Sequence, residues 1–253
     1  MMVTPLMAIL LVGNFICMMA LVCAIYRFVI QSLHRTGGDG VAKSHNIWDN
    51  LAKKYDRLWV QKYSLAPTRR IVSKIIAGHF GSDRFTLLDL GCGTGQLLSE
   101  LRESHPSAHL LGVDKSVVMV RRAKKRASGK CIGVFCIDAD SGDFSRIVSD
   151  GSVDAVVCCH SFPYYQNKKD VLAALHNILA AGGIAVFVQA SINNACDRLI
   201  LRAVEATAEK AQYLSRKAFR SLVKEHFIAT AEFSVHERFF MPSICGFILR
   251  KRA

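Results

Sequence analysis

Nine residues constrain the fold of this chain more than any others: Leu87-Leu88-Asp89-Leu90-Gly91-Cys92-Gly93-Thr94-Gly95. The apolar run suits a buried strand, and glycines at three alternate positions suit a backbone that turns sharply and lets a ligand approach where a Cβ would collide. A helix is predicted to begin near Gln96. The spacing excludes two phosphate-binding motifs. A dinucleotide fingerprint needs its third glycine at position 96, where Gln stands, and a P-loop needs Gly-Lys-Ser/Thr after the turn. Asp89 points the same way, since a carboxylate there repels a pyrophosphate but suits an ammonium or sulfonium charge.

The rest of the chain repeats the alternation. Strands are predicted at Phe85–Leu90, His109–Val113, Gly133–Ile137, Val153–Cys158, Gly183–Gln189, Ala229–Val235 and Cys245–Leu249. Helices are predicted at about 95–104, 116–127, 168–180, 193–212 and 215–226, preceded by 43–56 and 67–79. Pro67 suits a first helical turn, and Gly182-Gly183 a turn into the next strand. Five strands separated by helices imply an α/β fold with a mostly parallel, Rossmann-like sheet of seven strands, helices on both faces and the last strand antiparallel. With 253 residues, 51% of them hydrophobic, there is material for one domain with an appendage. The nine cysteines show no CxxC pair and no zinc spacing. No metal site is expected, and the thiols read as reduced and cytosolic.

The appendage is N-terminal. No charged side chain occurs from Met1 to Tyr26, and the apolar run Leu6–Ile30 is long enough to cross a hydrocarbon core of about 30 Å as a helix. A cleaved signal peptide is the rival, with Val22-Cys23-Ala24 as the cleavage site, but a basic leader is lacking and the run exceeds the usual length. Arg27, Arg35 and Lys43 follow the uncharged stretch that ends at Tyr26, which places the larger part on the cytoplasmic side of a single-pass anchor. The division expected is anchor 1–33, linker 34–42 and catalytic domain 43–253. The net charge of +13 concentrates at Arg121, Arg122, Lys124, Lys125 and Arg126 and at Arg250-Lys251-Arg252. These read either as a solvated helix face or as attraction to membrane lipids. Nucleic acid is not expected, because no aromatics interleave the basic run.

With these residues in hand, the chain resembles the class I S-adenosylmethionine (SAM)-dependent methyltransferases over about residues 45–190. Asp89-x-Gly91-x-Gly93-x-Gly95 is similar to their first motif. Leu111-Gly112-Val113-Asp114 resembles the second strand, whose terminal acid binds the ribose hydroxyls. Asp138-Ala139 resembles the position that accepts from the adenine amino group, with Asp140 and Asp143 close enough to take that role. Val153-Asp154-Ala155-Val156-Val157 resembles the fourth strand, and Asn177 to Gly183 the segment before the fifth. Trp48 to Asp56 resembles the helix that covers the cofactor. The resemblance implies SAM bound by Tyr55, Asp89, Gly91, Cys92, Gly93, Gly95, Asp114, Lys115, Asp138, Ala139 and Cys159. Two other readings stay open: Asp89 as an acid satisfying the turn's amides, and Asp114 as a helix cap.

The resemblance also implies methyl transfer to a nucleophile, in which alignment and exclusion of water do most of the work. The candidate catalytic residues follow the fourth strand: His160, Tyr164 and Tyr165. His160 reads as a general base or as a ring bonded to backbone, and the tyrosines as pocket walls or as packing. Ser161-Phe162-Pro163-Tyr164 has one proline where amide and amino-DNA methyltransferases carry two. Anchoring favours a small lipophilic or lipid acceptor. In layout the chain is similar to membrane-anchored thiol methyltransferases and to quinone or phospholipid methyltransferases. Residues 191–227 and Met241-Pro242-Ser243-Ile244 are expected to line the acceptor pocket. The alternatives are an RNA or protein methyltransferase and a non-catalytic SAM-binding module. Oligomeric state has no signal in the sequence.

Overall fold

The structure, a computed structural model, describes residues 47–52, 54–58, 61–205, 211–235 and 242–252. Seven strands form one sheet: β1 (Thr86–Leu90), β2 (His109–Asp114), β3 (Ile132–Cys136), β4 (Val153–Cys159), β5 (Leu179–Ala190), β6 (Phe227–Val235) and β7 (Ile244–Lys251). Their order is β3-β2-β1-β4-β5-β7-β6. The first five strands are parallel, and β7 pairs antiparallel with both β5 and β6. The Rossmann-like arrangement read from the alternation is therefore present, with the last strand reversed.

The helices are α1 (Ile47–Ala52), α2 (Ala66–Phe80), α3 (Gln96–Ser104), α4 (Val117–Ala127), α5 (Lys168–Ile178), α6 (Ala195–Glu205) and α7 (Arg216–Val223). They cover both faces of the sheet because the strand residues alternate. Leu88, Leu90, Val156 and Cys158 pack toward α5 and α7 with Phe162, Val171, Leu175 and Phe219. Leu87, Leu110, Ala155 and Val157 pack toward α2, α3 and α4 with Ile76, Leu97, Leu101, Val120 and Ala123. Burial of those side chains, at roughly 25 cal/mol per Å² of apolar surface, is the main stabilising contribution. The strand order reverses between β1 and β4, so their C-terminal ends open a crevice where open α/β sheets place ligands.

Some boundaries differ from the sequence reading. β5 begins at Leu179 and contains the Gly182-Gly183 turn as an excursion: Val153 pairs with Leu179, whereas Ala155 pairs with Ile184. Gly182 takes φ +80°, and a Cβ on Gly183 would stand 2.9 Å from the Asp154 carbonyl. The helix predicted over 193–212 is described as Ala195–Glu205, and 211–215 is not helical. The covering segment predicted at 43–56 is described as α1 followed by a 3-10 turn, Tyr55–Arg57. Among the described residues no helix is long and apolar enough to cross a membrane. The apolar run Leu6–Ile30, the linker 34–42 and Met241 lie outside the described residues.

Candidate cofactor and acceptor site

The crevice is built on the glycine turn, whose three glycines do different work. All three take positive φ, +75° at Gly91, +54° at Gly93 and +74° at Gly95. A Cβ on Gly91 would stand 2.4 Å from Ser161 Cβ, and one on Gly95 would stand 3.1 Å from Ala123 Cβ of α4. Those two glycines permit close packing, of the turn on the loop after β4 and of α3 on α4. On Gly93 the nearest neighbour among the described residues is Tyr55 at 3.8 Å, which leaves room above that residue. The N–H groups of Gly91 and Cys92 both donate to the Val113 carbonyl at 2.9 Å, which straps the turn to β2. Cys92 is buried over Gly112, where a Cβ would stand 2.9 Å from its Sγ.

Two carboxylates flank the turn. Asp114 accepts from Gly93 N–H through Oδ2 and from Ser116 N–H through Oδ1, both at 2.9 Å. The cap of α4 is Ser116, whose Oγ accepts from Met119 N–H. Each Asp114 oxygen keeps a second lone pair for a ligand hydroxyl. Burial raises the Asp114 pKa, and the two backbone hydrogen bonds oppose that shift. Asp89 is 3% exposed. Burial, followed by the Asp114 charge, pushes its pKa up to about 7, while the Arg69 charge works the other way. A buried carboxylate in that condition is ready for a cationic partner.

The three acids after β3 differ in what they already hold. Asp140 accepts from Gln166 N–H at 2.8 Å and Asn167 N–H at 3.0 Å, and Asp143 accepts from Ser145 N–H at 3.1 Å. Asp138 is exposed at the end of β3 and accepts from Asp140 N–H at 3.1 Å, with Ala139 buried behind it. Asp138 thus has the freest carboxylate of the three. Lys115 is exposed beside Asp114.

The residues after β4 diverge. His160 takes φ +60°, donates its N–H to the Val188 carbonyl at 2.7 Å, and shares a 2.9 Å hydrogen bond between Nε2 and Thr68 Oγ1 of α2. Burial pushes its pKa down to about 4, so the ring is neutral near pH 7. Tyr165 turns into the core against Phe162, and its buried hydroxyl lies under the turn, where a Cβ on Gly91 would stand 3.0 Å from it. Tyr164 turns the other way. Its ring meets Trp48 edge-on at 4.9 Å, and its hydroxyl lies 3.2 Å from that of Tyr213. Trp48 in turn lies 6.4 Å from Tyr55, so an aromatic arc runs from the glycine turn to the segment before α7. Cys159 ends β4, its thiol pKa raised well above the ordinary value by burial and then by the Asp89 charge.

Several contributors lie beyond the sequence-predicted set. Asp56 accepts from Thr94 Oγ1 at 2.6 Å and from Arg126 Nη2 at 2.7 Å, and Arg126 also donates to the Thr94 carbonyl. The covering segment is thereby fastened to the glycine turn and to α4. Lys168 is 8% exposed and donates to the carbonyls of Tyr165 and, at 3.4 Å, Pro163, as well as to Gln212 Oε1 at 3.4 Å. Gln212 N–H donates to Pro163 at 2.7 Å, so the Tyr164 and Tyr213 segments are one unit. Tyr213 and Lys168 carry no recognisable motif. Arg126 was legible only as one more charge in a basic run.

Residues 87–183 match the family model described as a methyltransferase domain. A demethylmenaquinone methyltransferase of Thermus thermophilus is 31% identical over 103 residues, 41% of this chain and 46% of that protein. A malonyl-[acyl-carrier protein] O-methyltransferase of Bacillus anthracis is 26% identical over 117 residues, 46% of this chain and 42% of that protein. The chain spans about half the length of the curated relatives it matches. A solved SAM-dependent methyltransferase from Aquifex aeolicus shares the fold with a TM-score of 0.58 at 13% identity, over 79% of this chain and 97% of that one. The open cradle at Gly93, the buried carboxylate of Asp89 and the spare lone pairs of Asp114 fit a cationic, ribose-bearing methyl donor. Strand order, glycine turn and the methyltransferase-domain match over residues 87–183 together support a SAM-dependent methyltransferase domain of the class I type, with SAM as its cofactor.

Proposed function

We propose that the chain methylates a small lipophilic or lipid acceptor at a membrane, with SAM as methyl donor. The observation that carries the acceptor class is the aromatic arc of Trp48, Tyr164 and Tyr213, which reaches the cofactor turn through Tyr55. Aromatic walls suit an apolar acceptor and exclude water. The Thermus relative, by its name, methylates demethylmenaquinone, an acceptor of this class. The apolar run Leu6–Ile30, with Arg27 near its end and Arg35 and Lys43 beyond it, supports a membrane location with the domain on the cytoplasmic side.

When bound, SAM supplies an activated methyl group and a neutral thioether leaving group. The chain's own residues hold and enclose the reactants. Asp89 meets positive charge, Asp114 accepts from hydroxyls while holding Gly93, and Tyr55 covers the turn. Positioning of this kind supplies on the order of 7–11 kcal/mol. His160 is a weak base at a pKa of about 4, with Nε2 already engaged by Thr68. We assign it to holding the loop that carries Tyr164, with the acceptor contributing the electron pair for the new bond and the proton it loses passing to solvent after transfer. The test is incubation of the full chain with methyl-labelled SAM and a membrane-containing cell extract, followed by partition of the label. Label in the organic phase that disappears with Asp114→Ala supports the reading. Label in RNA or protein overturns the acceptor class, and SAM binding without any transfer overturns the activity.

A further inference from the structure

Outside the cofactor site, α4 presents one face of uniform charge. Val117, Arg121, Lys124 and Lys125 are exposed, while Val120 and Ala123 on the opposite side are buried in the core. Positions 117, 121 and 124 follow helical spacing, so the stripe runs in one line away from the sheet. The helix reads VVMVRRAKKRA and contains no acid to neutralise that line. At its upper end Val117 is 55% exposed.

The start of α4 also carries the first described helix. Ser116 Oγ donates to Asp49, so α1 rests on the beginning of α4, beside the cofactor turn. Residues 31–46 join α1 to the apolar run and span at most roughly 55 Å when extended. A tether of that length keeps α4 at high effective concentration near whatever holds the run, so a modest attraction is enough to dock it.

We propose that this face of α4 docks on an anionic bilayer surface, with α1 and the mouth of the site turned toward the same membrane. The orientation rests on the anchored reading above. Charge complementarity selects anionic headgroups, and the exposed Val117 supplies an apolar contact at the interface. A lipophilic acceptor then passes from the bilayer to the aromatic arc without crossing bulk water.

The test is lysine acetylation of the full chain, read by mass spectrometry, on vesicles of phosphatidylcholine alone and of phosphatidylcholine with phosphatidylserine. Lys124 and Lys125 are expected to be acetylated several-fold less on the phosphatidylserine vesicles, and the protection should disappear at high salt. Lys217 and Lys224 lie on α7 or directly after it, on the opposite face of the sheet, and should not change. Val117→Ser combined with Arg121→Gln should reduce the protection while leaving SAM binding intact. Equal labelling of Lys124 and Lys125 on both vesicles overturns the proposal. Protection by an RNA oligonucleotide but not by vesicles overturns it too. Flotation with the phosphatidylserine vesicles alone, with protection kept, upholds the docking face while removing the anchor.

Discussion

Arg126, at the end of α4, reaches back to Asp56 beside Tyr55, with Nη2 2.7 Å from Oδ2. The pair is partly exposed, at 29% and 27% of the two side chains, so its charge attraction is screened. Its leverage comes from geometry, because Asp56 also accepts from Thr94 at 2.6 Å, between Gly93 and Gly95. Breaking it frees the segment that carries Tyr55.

Asp56→Asn is therefore expected to act on cofactor exchange more than on folding. SAM should dissociate roughly 3–10-fold faster, the equivalent of about 0.6–1.4 kcal/mol. Stopped-flow displacement measures this. An unchanged dissociation rate together with a large loss of thermal stability would show that the clasp serves the fold alone.

The turn glycines separate packing from binding. Gly91→Ala places a Cβ 2.4 Å from Ser161 Cβ at a φ of +75°, so overpacking and backbone strain add to about 2–5 kcal/mol of lost stability. Gly93→Ala meets nothing closer than Tyr55 at 3.8 Å, which leaves mainly the backbone cost of about 1–2 kcal/mol. Its Cβ occupies the cofactor's cradle instead. Thermal melts should rank Gly91→Ala as the less stable variant, and calorimetry should show Gly93→Ala folded and deficient in SAM binding.

These contrasts show how far the sequence could be read. The strands were legible because parallel, doubly covered strands read as short apolar runs, and the turn was legible because glycine has few substitutes at positive φ. The clasp was not, because Thr94, Asp56 and Arg126 are separated by 38 and 70 residues, and a local pattern carries no sign of such pairings. Thr68 meets His160 across 92 residues for the same reason. Tyr164 and Tyr165 were indistinguishable as neighbours in sequence. Only the 3-10 turn Phe162–Tyr164 sends one ring to the mouth and the other into the core.

Asp89 gives the site a pH dependence whose sign is fixed. Its pKa rises from 3.8 to about 7, so the folded cofactor-free protein favours the protonated acid. The stability contributed by this group is fully present below about pH 4 and is lost as pH rises through 7. SAM binding runs the opposite way, because an ammonium group needs the ionised carboxylate. From pH 6 to about pH 7.5 affinity should rise, before the ligand's own ammonium group begins to lose its proton near about pH 8, while the melting temperature of the cofactor-free protein falls. Asp89→Asn should flatten both trends, as measured by calorimetry and thermal melts across that range. A wild-type affinity that does not change with pH would remove Asp89 from contact with positive charge.

Lys168 supplies the last test, on the acceptor wall. Its ammonium group is buried and gathers the Pro163 and Tyr165 carbonyls and Gln212, with burial holding its pKa below the usual lysine range. Lys168→Met keeps most of the volume and removes the donors, so the Tyr165 carbonyl loses its buried partner while Pro163 keeps only the Gln212 N–H, at roughly 1–3 kcal/mol of lost stability. The segments that carry Tyr164 and Tyr213 lose one of their ties and keep the Gln212 N–H bond to Pro163, while Asp89, Asp114 and the glycine turn keep all of theirs. Near-UV circular dichroism should report the loosened tyrosines, and calorimetry should find SAM affinity within about threefold of wild type, a difference under about 0.7 kcal/mol. Loss of SAM affinity to the same degree as in Asp114→Ala would mean that the wall and the cofactor turn form one cooperative unit.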